Sequence, residues 1–245
     1  MPRSPRTKSE SGYMHLITRG ISKQILFADR DDFRLFLSRL ERYSRETEVT
    51  VCCYCLMDNH VHLLVYDPSG NVSLFMQKLN GSYSAYFNEK YDRSGHLFQD
   101  RFKSENIESE NYLLTVFRYI LNNPQKAGIC RASDYEWSSY RLYDRPDSFV
   151  RTGPFSELIG TREEYEAYIA AKNDDECMEY GSERHDDQWA LREIRKTIGT
   201  ENVMELQSWP REKRNAAIRM LKEKGLKIRQ IERLTGINRG MIQKA

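Results

Sequence analysis

The sequence predicts an α+β domain with a largely antiparallel sheet and helices packed on it, followed by a small all-α module. Three observations carry this expectation. Strand-like and helix-like periodicities alternate from Tyr13 to Asn122. A tight two-residue turn joins two β-rich runs within that alternation, which a doubly wound parallel sheet does not accommodate. The last 38 residues then hold 11 basic and 3 acidic residues around two short helical segments.

Taken in order, YMHLIT at 13–18 reads as a strand, and Arg19-Gly20 begins a turn. Asp29 or Asp31 can cap a helix in which Phe33, Phe36, Leu37 and Leu40 recur at helical spacing before polar residues end it near Glu46. EVTVCCYCLM at 48–57 and HVHLLVY at 60–66 form a hairpin across Asp58-Asn59. Pro68, Ser69 and Gly70 close it, and Phe75, Leu79, Tyr83, Tyr86 and Phe87 predict a helix over 72–91. HLFQDRF at 96–102 reads as another strand. SENYLLTVFRYILN at 109–122 is a helix with Ser109 as cap and Asn122-Asn123-Pro124 as stop. Aromatic loops and a short helix near 162–171 follow.

The 245 residues carry 38 Lys+Arg, 36 Asp+Glu and 39% hydrophobic residues, which excludes collagen-like, disulfide-scaffold and strongly disordered classes. The formal charge of +2 hides an uneven distribution. Residues 174–187 hold 1 basic and 7 acidic groups and read as a linker, so the expected domains are 1–173, the acidic linker 174–187, and a helical module 188–245. Within that module Trp189–Ile198 and the stretch from Pro210 to Lys224 read as helices, and a turn at Thr235-Gly236-Ile237 separates two short helices in a helix-turn-helix pattern. Its charge favours a nucleic-acid partner over mere dimerisation. No apolar run reaches membrane-spanning length and no signal core follows the first basic residues. The five cysteines have no zinc-ribbon or redox spacing; Cys53 and Cys55 are expected on one sheet face and Cys52 on the other, as small buried hydrophobes. A cytoplasmic, nucleoid-associated protein without a membrane partner is expected.

His60 and His62 project from one face of a strand, so both imidazoles can reach one divalent cation. Tyr119 and Asn123, four residues apart, share a helix face. The pair admits two readings: a core aromatic with a helix-ending amide, or a nucleophilic hydroxyl with a carbonyl oxygen that completes a His-His-Asn site. Oxygen and imidazole ligands with room for phosphate oxygens suit Mg²⁺ or Mn²⁺.

In this order the motifs resemble the HUH single-strand DNA transposases with one catalytic tyrosine, and most closely the REP-associated tyrosine transposases and their relatives. The resemblance covers about residues 13–143 through HLITRG with ILF at 25–27, MDNHVHLLV, FMQKLNGSYSAYFNEKY, GHLFQDRFKS, YLLTVFRYILNNPQKAG and EWSSY. It implies a ferredoxin-like sheet, His60 and His62 as metal ligands, Asn123 as the third, and Tyr119 as the nucleophile of a phosphoryl transfer that leaves a 5′-phosphotyrosine. The implied substrate is single-stranded DNA with a palindromic hairpin. Asp58 departs from the pattern where many relatives carry Pro, and the C-terminal extension exceeds the minimal members.

Arg19, Lys23, Lys78, Arg101 and Lys103 are candidate phosphate contacts, with Tyr83, Tyr86 and Phe98 as candidate stacking partners for unpaired bases. In the C-terminal module Asn238, Arg239 and Gln243 are candidates for base edges of duplex DNA, and Lys227, Arg229 and Arg233 for phosphates. Two other classes compete: a regulator that only binds DNA through its helix-turn-helix, and a metal-dependent nuclease that uses water, with Tyr119 structural.

Overall fold

A computed structural model describes residues 8–178, 187–200, 202–226 and 228–245, without the side chains of residues 187–189 and 192. Lys227 and most of the expected linker therefore lie outside the described residues. The chain divides into two compact units, with the boundary between Tyr180 and Gly181.

The first unit is built on strands β1 (Tyr13–Arg19), β2 (Thr50–Met57), β3 (His60–Tyr66) and β4 (Lys103–Asn106). They form one sheet in the order β2-β3-β1-β4, with every pair antiparallel. Helices α1 (Arg30–Thr47) and α2 (Val72–Lys90) make the crossovers, which gives a ferredoxin-like β1-α1-β2-β3-α2-β4 topology. Alternation directs Met14, Leu16, Tyr54, Leu56, Val61, Leu63 and Val65 to the face covered by α1 and α2, where Phe36, Leu40, Phe75, Leu79 and Tyr83 meet them. Asp29 opens α1 by accepting from the amides of Asp31 and Asp32, and Asp32 answers to the Asp29 amide in a capping box.

The second face is covered as well. Helix α3 (Glu110–Leu121) lays Leu113, Val116, Phe117 and Ile120 over Cys53, Cys55 and Leu64. The aromatic segment that reads as loops is core: Tyr135 donates to the Leu56 carbonyl at 2.7 Å, and Tyr165 to that of Tyr140 at 2.9 Å. Short helices α4 (Asn123–Lys126), α5 (Gly153–Ile159) and α6 (Arg162–Ala170) complete this layer.

Two local expectations change. The strand expected at 96–102 is irregular chain that crosses the end of β1 through Ile21 N to Leu97 O and Gln99 N to Arg19 O, both 2.9 Å; the edge strand is the polar KSEN that follows. A β-bulge shifts the register between Val51 and Cys53, so Cys52 joins Cys53 and Cys55 on the α3 face. Helix α3 stops at Leu121 with Asn122 as its C-cap, in keeping with the expected stop, and Pro124 then sits in the first turn of the separate α4, where its missing N–H costs nothing.

The second unit contains α7 (Asp187–Ile198), a 3₁₀ turn at Val203–Ser208, α8 (Arg211–Glu223), α9 (Ile228–Thr235) and α10 (Arg239–Lys244). Its own core gathers Ile194, Leu206, Ile218, Leu221, Ile231, Ile237 and Ile242. Gly236 joins α9 to α10 at φ +71°, a left-handed position suited to glycine. Among the described residues, no helix is long and apolar enough to cross a membrane.

Candidate active site

The register puts the ring-bearing residues on the α3 face. Cα partners Arg19↔His60 and Ile17↔His62 join β1 to β3, and His15↔Glu105 joins β1 to β4, so His15, His62 and Glu105 share that face. Facing them, α3 contributes Tyr119 and the start of α4 contributes Asn123. The result is a cavity of about 280 Å³ lined by Arg19, Met57, His60, His62, Tyr119, Asn123, Lys126 and Ala127.

The two strand imidazoles stand with ring centroids 5.0 Å apart. His60 Nδ1 lies 2.7 Å from Asn59 Oδ1. An amide oxygen only accepts, so His60 donates there, and its lone pair when neutral lies on Nε2. His62 is buried, and its Nδ1 lies 3.0 Å from Nε2 of the fully buried His15. Burial, then the neighbouring His15 and His60, holds the His62 imidazole well below its ordinary range. His15 is likewise lowered by burial, against the opposing pull of Glu105. The Glu105 carboxyl sits below the usual range chiefly because of His15.

The Tyr119 ring, only 2% exposed, packs edge-on 5.9 Å from the His62 ring and 6.1 Å from that of His15. The Lys126 ammonium lies 4.4 Å from the Tyr119 ring centroid. Asn123 spends its amide N–H on the Tyr119 carbonyl at 3.1 Å, which leaves its oxygen as the atom able to meet a cation. Among the described residues, no three His, Cys, Asp or Glu side chains converge as a metal cluster. A cation here would rest on two neutral imidazoles and an amide oxygen. Such a set carries no charge of its own and would leave a divalent cation its full charge for phosphate oxygens.

Of the other sequence-predicted contacts, only Arg19 lines this cavity. Lys103 pairs with Ile17 on the same sheet face. Lys23 is exposed on the turn after β1, where its carbonyl accepts from Asn59 at 3.3 Å. Lys78 lies on α2, across the sheet, and is ion-paired with Glu46, so it is not part of this site. Arg101 and Phe98 border a second groove, between α2 and residues 95–102. Tyr83 is core, donating to the Leu26 carbonyl at 2.5 Å, and presents no ring for base stacking; Tyr86 is half-buried, donates to Asp32 at 3.0 Å and has the Arg39 and Lys90 cations over its ring. In the second unit Arg229, Arg233, Arg239 and Gln243 are exposed, whereas Asn238 is committed to capping α10 through Gly240 N at 2.8 Å.

The sequence reading missed Glu105 and Lys126. Glu105 sits in a polar tetrapeptide whose place only strand register reveals. Lys126 lies on α4, beyond the break at Asn122, so the period of α3 does not place it beside Tyr119. Asp175, expected in the linker, forms a two-pronged pair with Arg118 of α3 at 2.6 and 2.7 Å, and its carbonyl accepts from Lys126. Residues 174–178 thus belong physically to the first unit.

The antiparallel sheet with helices on it is the transposase fold of a solved structure described as a REP-associated tyrosine transposase bound to a REP hairpin: TM-score 0.51, 15% identity, over 58% of this chain and 84% of that one. A candidate transposase from Deinococcus radiodurans aligns at TM-score 0.35 and 17% identity, over 49% of this chain and 97% of its own. No curated protein matches the chain. Residues 8–123 match the model of the IS200-like transposase family, so this part of the chain is similar to that family.

Proposed function

We propose that this chain is a single-strand DNA transposase that cleaves and rejoins hairpin-bearing DNA through a 5′-phosphotyrosine link. The observation that carries the reading is the meeting of His60, His62, Tyr119 and Asn123 on one cavity with Arg19 and Lys126 at its wall. The Tyr119 oxygen attacks the scissile phosphorus and gives up its O–H proton, the bond to O3′ breaks, and the departing 3′-oxygen takes up one proton, so that the step conserves protons. Arg19 and Lys126 balance the charge on the phosphate oxygens, and the packed ring of Tyr119 holds the nucleophile in place. When bound by His60, His62 and Asn123, Mg²⁺ or Mn²⁺ would supply Lewis-acid stabilisation of that phosphate. One phosphoester replaces another, so a 3′-hydroxyl can reverse the step without ATP.

The hairpin-bound solved structure supports a folded-back single strand as substrate. The basic module 188–245 is assigned to duplex DNA through Arg229, Arg233, Arg239 and Gln243, with catalysis in the first unit and the remainder of the acidic run, beyond residue 178, as connection. Incubation with a hairpin oligonucleotide and Mg²⁺ or Mn²⁺ is expected to give a covalent adduct on a denaturing gel, abolished by Tyr119→Phe. Cleavage by Tyr119→Phe at the wild-type rate would replace this reading with the hydrolytic nuclease. Tight binding without cleavage by the wild type would replace it with the regulator.

A further inference from the structure

His15 does not line the cavity, yet it is wholly buried directly behind it. Its Nε2 lies 3.0 Å from His62 Nδ1, and its Nδ1 faces Glu105 Oε2 at 3.8 Å. The two imidazoles have centroids 5.2 Å apart and planes inclined by 22°. A hydrogen bond between two ring nitrogens needs one donor and one acceptor, so two arrangements are open to the neutral pair.

Glu105 distinguishes them. At 3.8 Å its oxygen is beyond hydrogen-bond length but well within electrostatic reach of His15 Nδ1. A carboxylate attracts an N–H and repels a ring lone pair, so His15 carries its proton on Nδ1 and turns the lone pair of Nε2 to His62. His62 then holds its proton on Nδ1, and its lone pair lies on Nε2. His60 reaches the same state by donating Nδ1–H to Asn59.

We infer that Glu105 and His15 form a relay that sets the tautomer of His62, so that its Nε2 lone pair serves a divalent cation in the cavity. Both are positioning residues that touch neither cation nor DNA. For its purpose the inference rests on the metal reading of His60, His62 and Asn123; its geometry stands apart from that reading.

Long-range ¹H–¹⁵N spectra of the metal-free full chain read histidine tautomers directly. The expected result is the Nδ1–H form for both His15 and His62; an Nε2–H form of His62 overturns the relay. Glu105→Gln, at a partly exposed edge position, is expected to turn the single His62 form into a mixture. Calorimetric titration of metal-free protein with Mn²⁺ should show His15→Leu weakened about 10–100-fold, the usual cost of losing such a support. His15→Gln, which keeps an acceptor oxygen in reach of His62, should recover most of that loss. Wild-type Mn²⁺ affinity in a folded His15→Leu protein overturns the inference. If that variant does not fold, the wild-type and Glu105→Gln spectra decide. A wild type with the Nδ1–H form and no Mn²⁺ binding would overturn the metal reading and leave the relay standing.

Discussion

Asp32 is fully buried and keeps its charge because five donors surround it: the amides of Ala28 and Asp29, the hydroxyls of Tyr86 and Tyr91, and Lys90 at 2.7 Å. Burial pushes its carboxyl up, but Lys90, Tyr91, the Ala28 amide and Tyr86 together outweigh it and hold the pKa below the usual value. A depressed carboxylate is stabilising above its unfolded value of about 3.9, and that stability is lost as pH falls through the folded value. Urea unfolding should therefore show the wild type weakening below about pH 4. Asp32→Asn should be about 3 kcal/mol less stable at pH 7 and flatter over the acid range. Lys126→Met removes a cation beside Tyr119; a loss of about 1 kcal/mol corresponds to roughly five-fold slower adduct formation at saturating DNA, with the melting temperature unchanged. His60 and His62 stand on one strand, and Tyr119 and Asn123 lie four residues apart across the junction of α3 and α4, so local spacing was enough to place each pair together. His15 and Glu105 meet only through the register of two strands 90 residues apart in sequence, which no local pattern carries.

At the scale of elements, the hairpin and helices α1 to α3 follow from apolar periodicity, whereas β4 does not. KSEN has no buried apolar residue to alternate; its pairing with β1 is backbone hydrogen bonding at a sheet edge. The cysteine register failed for a related reason: one extra residue at the bulge reverses which face every preceding residue meets. The segment from β1 to α1 is fixed by backbone contacts with the hairpin turn, Gly20 N to Asn59 O at 2.9 Å and Leu26 N to Asp58 O at 2.7 Å. Asp58, the departure from the family pattern, thus acts through its carbonyl and leaves this docking intact. A Cβ on Gly20 would overlap the Gln24 carbonyl oxygen. Gly20→Ala should therefore cost about 2 kcal/mol, read as a melting temperature lower by roughly 4–8 °C.

The two units have separate cores, with α1 to α6 around the sheet and α7 to α10 around Ile194, Ile218 and Ile231. Their charges also differ: residues 208–245 hold a net +8, while the acidic run at 174–187 precedes them. Removing residues 188–245 should therefore leave a folded first unit whose adduct formation on a short hairpin survives at saturating DNA. Binding to a longer DNA with a duplex flank should weaken, because Arg229, Arg233 and Arg239 no longer displace counterions. Each phosphate contact contributes a slope of about 0.9 in log K against log salt, so three lost contacts should flatten it by roughly 3. Fluorescence anisotropy across a salt series measures this. Unchanged affinity and slope in the truncated protein would make the C-terminal unit an oligomerisation or packing element. Loss of adduct formation in a truncated protein that remains folded would instead make that unit part of the catalytic assembly. The flattening separates charge from shape: it follows from the number of phosphates neutralised and holds whether or not α10 reads base edges.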